Sequence, residues 1–359
     1  MPGQDARATS KVVPEAEALR GIWLTRGKDG RLTAFVAGDG GLRRWTEDRP
    51  GGPGWGTPDD VPTPRLTHLS VTQNADAYVH LVGRREQKVA GGDVAVDIVH
   101  AIQYQTGRPT SAWNPLGTPH KEAHRGGALG APVTVVSRPG ELHIAVRDGD
   151  GGMRLLREKP GGKWGVWGVL HGKHVKGEPA VVALSSGCVT VLAATDEGAL
   201  HWEQAEPSGR WGGSERLGIT LRPGSLAALE TAPGRATYYG TDPAGGVVAF
   251  RADAGPMPLG GAPGDGAQAV IRTVLDGFDC TVLAHRGANG CAVVGVGVTE
   301  KEGDGVWWSD TGVPCLTTPA LMHDARGRVV MAVAGADGAP RVARQTDGPG
   351  LSFEQWREL

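Results

Sequence analysis

The chain has 359 residues, with 37 Lys and Arg against 39 Asp and Glu, and its formal net charge is −2. Its Arg43-Arg44 and Arg84-Arg85 are isolated pairs rather than a basic stripe, which argues against a nucleic-acid partner. A load of 58 Gly and 25 Pro would break most helices, yet it suits a chain that turns about every 8 to 12 residues, and 39% hydrophobic residues supply a core.

Residues 1–20 read as an N-terminal extension without the apolar stretch of a secretory signal, and no run approaches the length of a membrane span. The expectation is a cytoplasmic protein with no membrane span, unconventional export aside. Free thiols are then the default for Cys188, Cys280, Cys291 and Cys315. Cys280 and Cys291 flank the turn His285 to Gly290, so a disulfide across that hairpin is the alternative.

From residue 21 onward one phrase recurs: an apolar run, a Gly-centred turn, a second run, another Gly-containing turn, a third run, and a Gly/Trp-rich tail. The first turns fall at Gly30, Asn74, Gly140, Gly187, Gly234, Gly277 and Gly327, and the regular step is about 47 residues. Four short strands fit that length, the signature of a propeller blade. The prediction is an all-β fold, a single seven-bladed β-propeller of four-stranded antiparallel blades spanning residues 21–359.

In chain order the blades run from about Gly21 to Val61, Leu66 to His120, Ala128 to Gly172, Glu178 to Gly218, Arg222 to Gly261, Ala267 to Val313 and Thr318 to Leu359. Blade two exceeds the period by roughly 20 residues, and the excess lies around Arg84 to Val96, between its second and third strands. Such a long insertion is a place for a protein partner to grip.

Strands in a blade alternate in direction, so the loop between strands two and three exits on the same face as the connection to the next blade. We call this the upper face. It gathers His120 and His124 from one connection, His171 and His174 from the next, and Asp148 and Asp150 from the blade-three turn. Imidazoles beside carboxylates are chemically able to hold a divalent metal such as zinc or a polar ligand. Solvated turn residues are the plain alternative, since Asp-Gly is an ordinary hairpin turn. His80, His100, His143 and His201 fall within strands and read as packed side chains.

Trp55, Trp113, Trp164, Trp167, Trp211, Trp307, Trp308 and Trp356 fall in or near the last strand of a blade. A large flat side chain there fills the wedge between neighbouring blades; one left exposed beside polar loops is a platform for a sugar ring. The strand LHWEQ and the tail W-x-x-W-x-x-L-G resemble the repeat of propeller lectins of the tectonin-like and PLL-type group. Blade three, Trp164 to Leu170, carries both tryptophans, blade four keeps Trp211 and the Leu-Gly, and blade five, GPMPLGG, has lost the aromatics. The resemblance implies monosaccharide pockets between blades, here bordering blades three and four.

Catalytic signatures are sparse. The segment around Asp39, AGDGGLRRW, is a partial sialidase Asp-box without its Ser and Thr, and Asp324 is the one carboxylate that the first-strand segments supply toward the axis. No G-x-S-x-G elbow occurs. The reading is a non-catalytic, lectin-like module for a glycan or glycoconjugate, with Trp164, Trp167, Trp202, Trp211, Asp148 and Asp150 as ligand contacts. Two alternatives stand beside it: an enzyme with a metal or small-molecule site at His120, His124, His171 and His174, and an interaction scaffold using the blade-two insertion.

Overall fold

The computed structural model describes residues 19–38, 41–88, 94–120, 126–159 and 161–359. Seven separate antiparallel sheets follow one another along the chain, each with its strands in sequence order. Blade one is Gly21–Arg26, Leu32–Gly38, Gly41–Thr46 and Asp59–Val61, and blade seven is Ala320–His323, Val329–Ala334, Pro340–Arg344 and Arg357–Glu358. Blade three differs only at its edge, where Lys163–Trp164 and Gly168–Leu170 both pair with Met153–Lys159. The first strands of successive blades lie side by side around the axis, and Gly21–Arg26 meets Ala320–His323 to complete the circle.

Burial explains the composition of the strands. A second strand is covered on both faces by the flanking blades, so it reads as an unbroken apolar run rather than an alternation. Val189–Thr195 and Val329–Ala334 are buried at every position. Outer strands such as Arg357–Glu358 are exposed. A distinct apolar cluster fills each junction: Phe35, Val61, Leu81 and Val99 between blades one and two, for example, and Leu192, Ile219, Tyr238 and Phe250 between four and five.

The first turns bear out glycine as the ruler, with one departure. Gly30, Gly140, Gly187, Gly234, Gly277 and Gly327 adopt φ of 74 to 92°, where a Cβ is disfavoured. In blade two that place is taken by Ala77, at φ 64°, while Asn74 accepts a bond from the Tyr78 amide at 2.9 Å. A second recurring device was not read from the sequence. A Glu or Gln at the end of the third strand accepts a bond from the first amide of the second strand: Glu47 from Leu32, Gln204 from Val189 and Gln345 from Val329, at 2.9, 2.9 and 3.0 Å.

The blade-two excess is drawn into strand rather than loop. Val79–Lys88 and Val94–Gln103 are each 10 residues long and stay paired from Val79↔Gln103 to Lys88↔Val94. The tip, 89–93, lies outside the described residues. Midway along the hairpin Arg84 is buried and donates to the Leu129 and Gly127 carbonyls, both at 3.0 Å, which pins the connection into blade three.

All four cysteines are free. The expected alternative of a Cys280–Cys291 bridge is excluded by register, since Cys280 faces Val298 whereas Cys291 faces Pro314. The two thiols stand at opposite ends of the hairpin.

Candidate functional site

Of the upper-face sector, His120 and Asp148 meet, and they form part of a brace. His120 Nε2 lies 2.6 Å from Asp148 Oδ1, and Arg154 Nε donates to Asp148 Oδ2 at 2.7 Å. Burial would raise the Asp148 carboxyl, but the bonds from Arg154 and His120 outweigh it and hold it below the ordinary aspartate range. Both carboxylate oxygens are therefore committed. His171 and His174 are exposed, and His124 lies outside the described residues. Asp150 sits at the exposed tip of the same turn. Among the described residues no group of three or more His, Cys, Asp or Glu side chains is placed to hold a metal ion. Asp39 of the partial Asp-box also lies outside the described residues. Asp324 is fully buried and spends its carboxylate on the Arg326 and Arg328 amides and the Arg328 guanidinium, so it staples a turn.

The tryptophans of the outer strands, Trp307 apart, lean toward the preceding blade. Trp113 donates to the Pro62 carbonyl at 2.8 Å and Trp308 to the Leu259 carbonyl at 2.7 Å, while Trp164 meets the His100 ring edge-on at 5.4 Å. Trp167 packs on the same junction as Trp164, and Trp211 lies against the junction of blades three and four. These three are half-buried wedge residues. Trp202 is a correction to the stacking set: it is fully enclosed, with Nε1 bonded to the His171 carbonyl at 2.7 Å, so its ring offers no face to a ligand.

Exposed aromatic rings gather instead on the lower face, formed by the first turns and the loops between strands three and four. Tyr78 and Tyr104 stand edge to face at 5.2 Å, with Tyr104 54% exposed. They wall a recess of ≈ 490 Å³ between blades one and two, and Asp29, Arg31, Gln105 and Thr106 share its lining. Thr106 of blade two donates to Asp29 Oδ1 of blade one at 2.9 Å, and Arg31 Nε donates to Asp29 Oδ2 at 2.7 Å. Burial would raise the Asp29 carboxyl, yet those bonds prevail and lower it. The result is a fixed row of donors and acceptors beside two aromatic rings. A second lower-face recess, between blades six and seven, exposes Phe278 and Trp307. Sequence reasoning assigned Trp307 to the wedge set and did not single out the tyrosines.

The chain matches no protein-family model and no curated protein. Among solved structures it is similar to BP39L lectin from Burkholderia pseudomallei, at 14% identity and TM-score 0.72, over 95% of this chain and 99% of that one. It is also similar to AofleA from Arthrobotrys oligospora, at 10% identity and TM-score 0.55, over 81% of this chain and 86% of that one. The Aleuria aurantia lectin in complex with Fucalpha1-6GlcNAc matches at 14% identity and TM-score 0.51, over 82% of this chain and 97% of that one. At these identities the likeness establishes the fold: the chain is a seven-bladed β-propeller.

Proposed function

We propose that this propeller is a non-catalytic carbohydrate-binding module of the tectonin-like, PLL-type kind, and that its sugar site is the tyrosine recess on the lower face. The observation that carries this reading is the Tyr78–Tyr104 pair beside the Thr106–Asp29–Arg31 row. A sugar ring presents apolar C–H faces and a rim of hydroxyls, which match an aromatic wall flanked by prearranged polar groups. The names of the similar propellers support the same class of ligand. The proposed site sits between blades, as the repeat resemblance implies, but on a different junction and the opposite face from the His/Asp sector.

A glycan array probed with the full chain, with and without a chelator, tests the reading. Selective binding that survives chelation and is lost in Tyr104→Ala and Asp29→Asn is the expected result. A blank array at high protein concentration overturns it. Binding abolished by the chelator would instead favour a metal-dependent site.

A further inference from the structure

Blade six is deeper than blade seven. Its inner-to-outer strands Phe278–Arg286, Cys291–Val298 and Trp307–Pro314 hold 9, 8 and 8 residues, against 6, 5 and 2 for Val329–Ala334, Pro340–Arg344 and Arg357–Glu358. The pairings Cys280↔Val298, Val282↔Val296 and Val296↔Trp307 put these side chains, with Phe278, on one face of the sheet. Higher up, that face is covered, where Val282 and Val294 pack against Val329. Toward the lower rim blade seven offers only Gly350 and Leu351, and a recess of ≈ 460 Å³ remains.

Its chemistry is specific. Trp307 is 70% exposed and Phe278 62%, so two aromatic rings stand at the mouth over a floor of valines and Cys280. Asp276 is the single charged residue of the lining, and no Lys or Arg shares it. The Gly350 amide donates to Asp276 Oδ2 at 2.8 Å and fixes the carboxylate at the rim. Aromatic faces attract cations, and a carboxylate adds to that attraction. A compact, strongly hydrated ammonium such as that of lysine loses its water poorly in an apolar slot, whereas a methylated ammonium carries its charge under an apolar shell. The volume lies in the range of small-molecule sites.

We propose that the recess between blades six and seven binds a small quaternary ammonium compound, with the trimethylammonium group in the slot that Trp307 and Phe278 border and its charge facing Asp276. The site is separate from the sugar recess and stands or falls independently of it.

Calorimetric titration of the full chain with choline, and with 3,3-dimethyl-1-butanol as the uncharged isostere, tests this. Choline is expected to bind saturably and roughly fivefold to thirtyfold tighter than the isostere, the range expected for a cation over aromatic rings. Asp276→Asn keeps an acceptor for the Gly350 amide and a side chain that tolerates the φ of 50° at this position. It is expected to weaken choline and leave the isostere unchanged. Trp307→Ala, at an exposed position, is expected to abolish both while melting like the parent. Tyr104→Ala is expected to leave choline binding intact, which separates this site from the sugar reading. Equal affinity for choline and the isostere would overturn the proposal in favour of a plain apolar slot. Binding to phosphatidylcholine vesicles without binding of free choline would overturn it in favour of a membrane surface, and no binding of any probe would also overturn it.

Discussion

Arg344 of the last blade and Glu47 of the first are 297 residues apart in the chain, and their side chains meet at 2.5 Å in the interior. Among the described residues neither end of the ring lends a strand to the other's sheet, and side chains join the first blade to the last. Glu47 also accepts the Leu32 and Gly51 amides, and Arg328 of blade seven donates to the Gly51 carbonyl at 3.0 Å. The apolar part of the seam joins Ile22, Leu24 and Trp45 to Val330, Ala332 and Val342.

Removing one partner of such a pair leaves the other charge buried. Arg344→Ala is expected to cost about 3–5 kcal/mol in urea unfolding, whereas Glu47→Gln, which retains an acceptor for the amides, should cost less. Equal, small losses in both would mean that the apolar seam closes the ring without the pair.

Acid should weaken the fold through its buried histidines. Burial pushes His80 down to about 4, burial and the neighbouring His80 push His100 to about 3, and burial with the Arg157 charge pushes His143 to about 4. Each imidazole is neutral in the folded state, while the unfolded chain takes up its proton near pH 6.5. Stability is therefore full above about pH 6.5 and falls as pH drops toward 4, by an amount on the order of 3 kcal/mol per group. Melting curves from pH 7 to 4.5 check the slope. In His100→Phe, which keeps an aromatic ring against Trp164, that slope should flatten.

Ala77 occupies the left-handed turn position that glycine holds in the other six blades. A Cβ there carries strain of about 1–2 kcal/mol, offset in part by the greater unfolded-state freedom of glycine. Ala77→Gly is expected to stabilise the protein by about 0.5–1 kcal/mol, read as a higher melting temperature.

Trp202 and Tyr104 should behave as opposites. Trp202→Ala empties a fully buried site and orphans the His171 carbonyl, at a cost of about 3–5 kcal/mol. Tyr104→Ala, half exposed, should change stability by within about 1 kcal/mol and act on ligand binding alone. Paired denaturation and binding measurements on both variants decide this.

The blades were legible because their punctuation is local. A glycine in a left-handed turn and an apolar run between two turns can each be read from a few adjacent residues. Ala77 escaped because its turn achieves the same backbone shape without the usual residue. The candidate recesses were not legible for a different reason. Trp202 and Trp307 are the same residue type on neighbouring kinds of strand, and what buries one and bares the other is the depth of the adjoining blade. His120 and Asp148 were placed together correctly, yet whether they form an open site or a brace depended on Arg154, whose direction the sequence does not reveal.

Because every blade is one contiguous stretch, a cut in any connection between blades leaves every sheet whole. Arg20 and Leu359 line the same seam recess, so the start of the first blade and the end of the last lie near each other. A circular permutant joined there by a short linker and reopened in the connection between blades four and five, near Thr220, would carry the same seven sheets. The Arg344–Glu47 clasp would then become an ordinary contact between consecutive blades, and the new seam would rest on the apolar cluster around Tyr238 and Phe250.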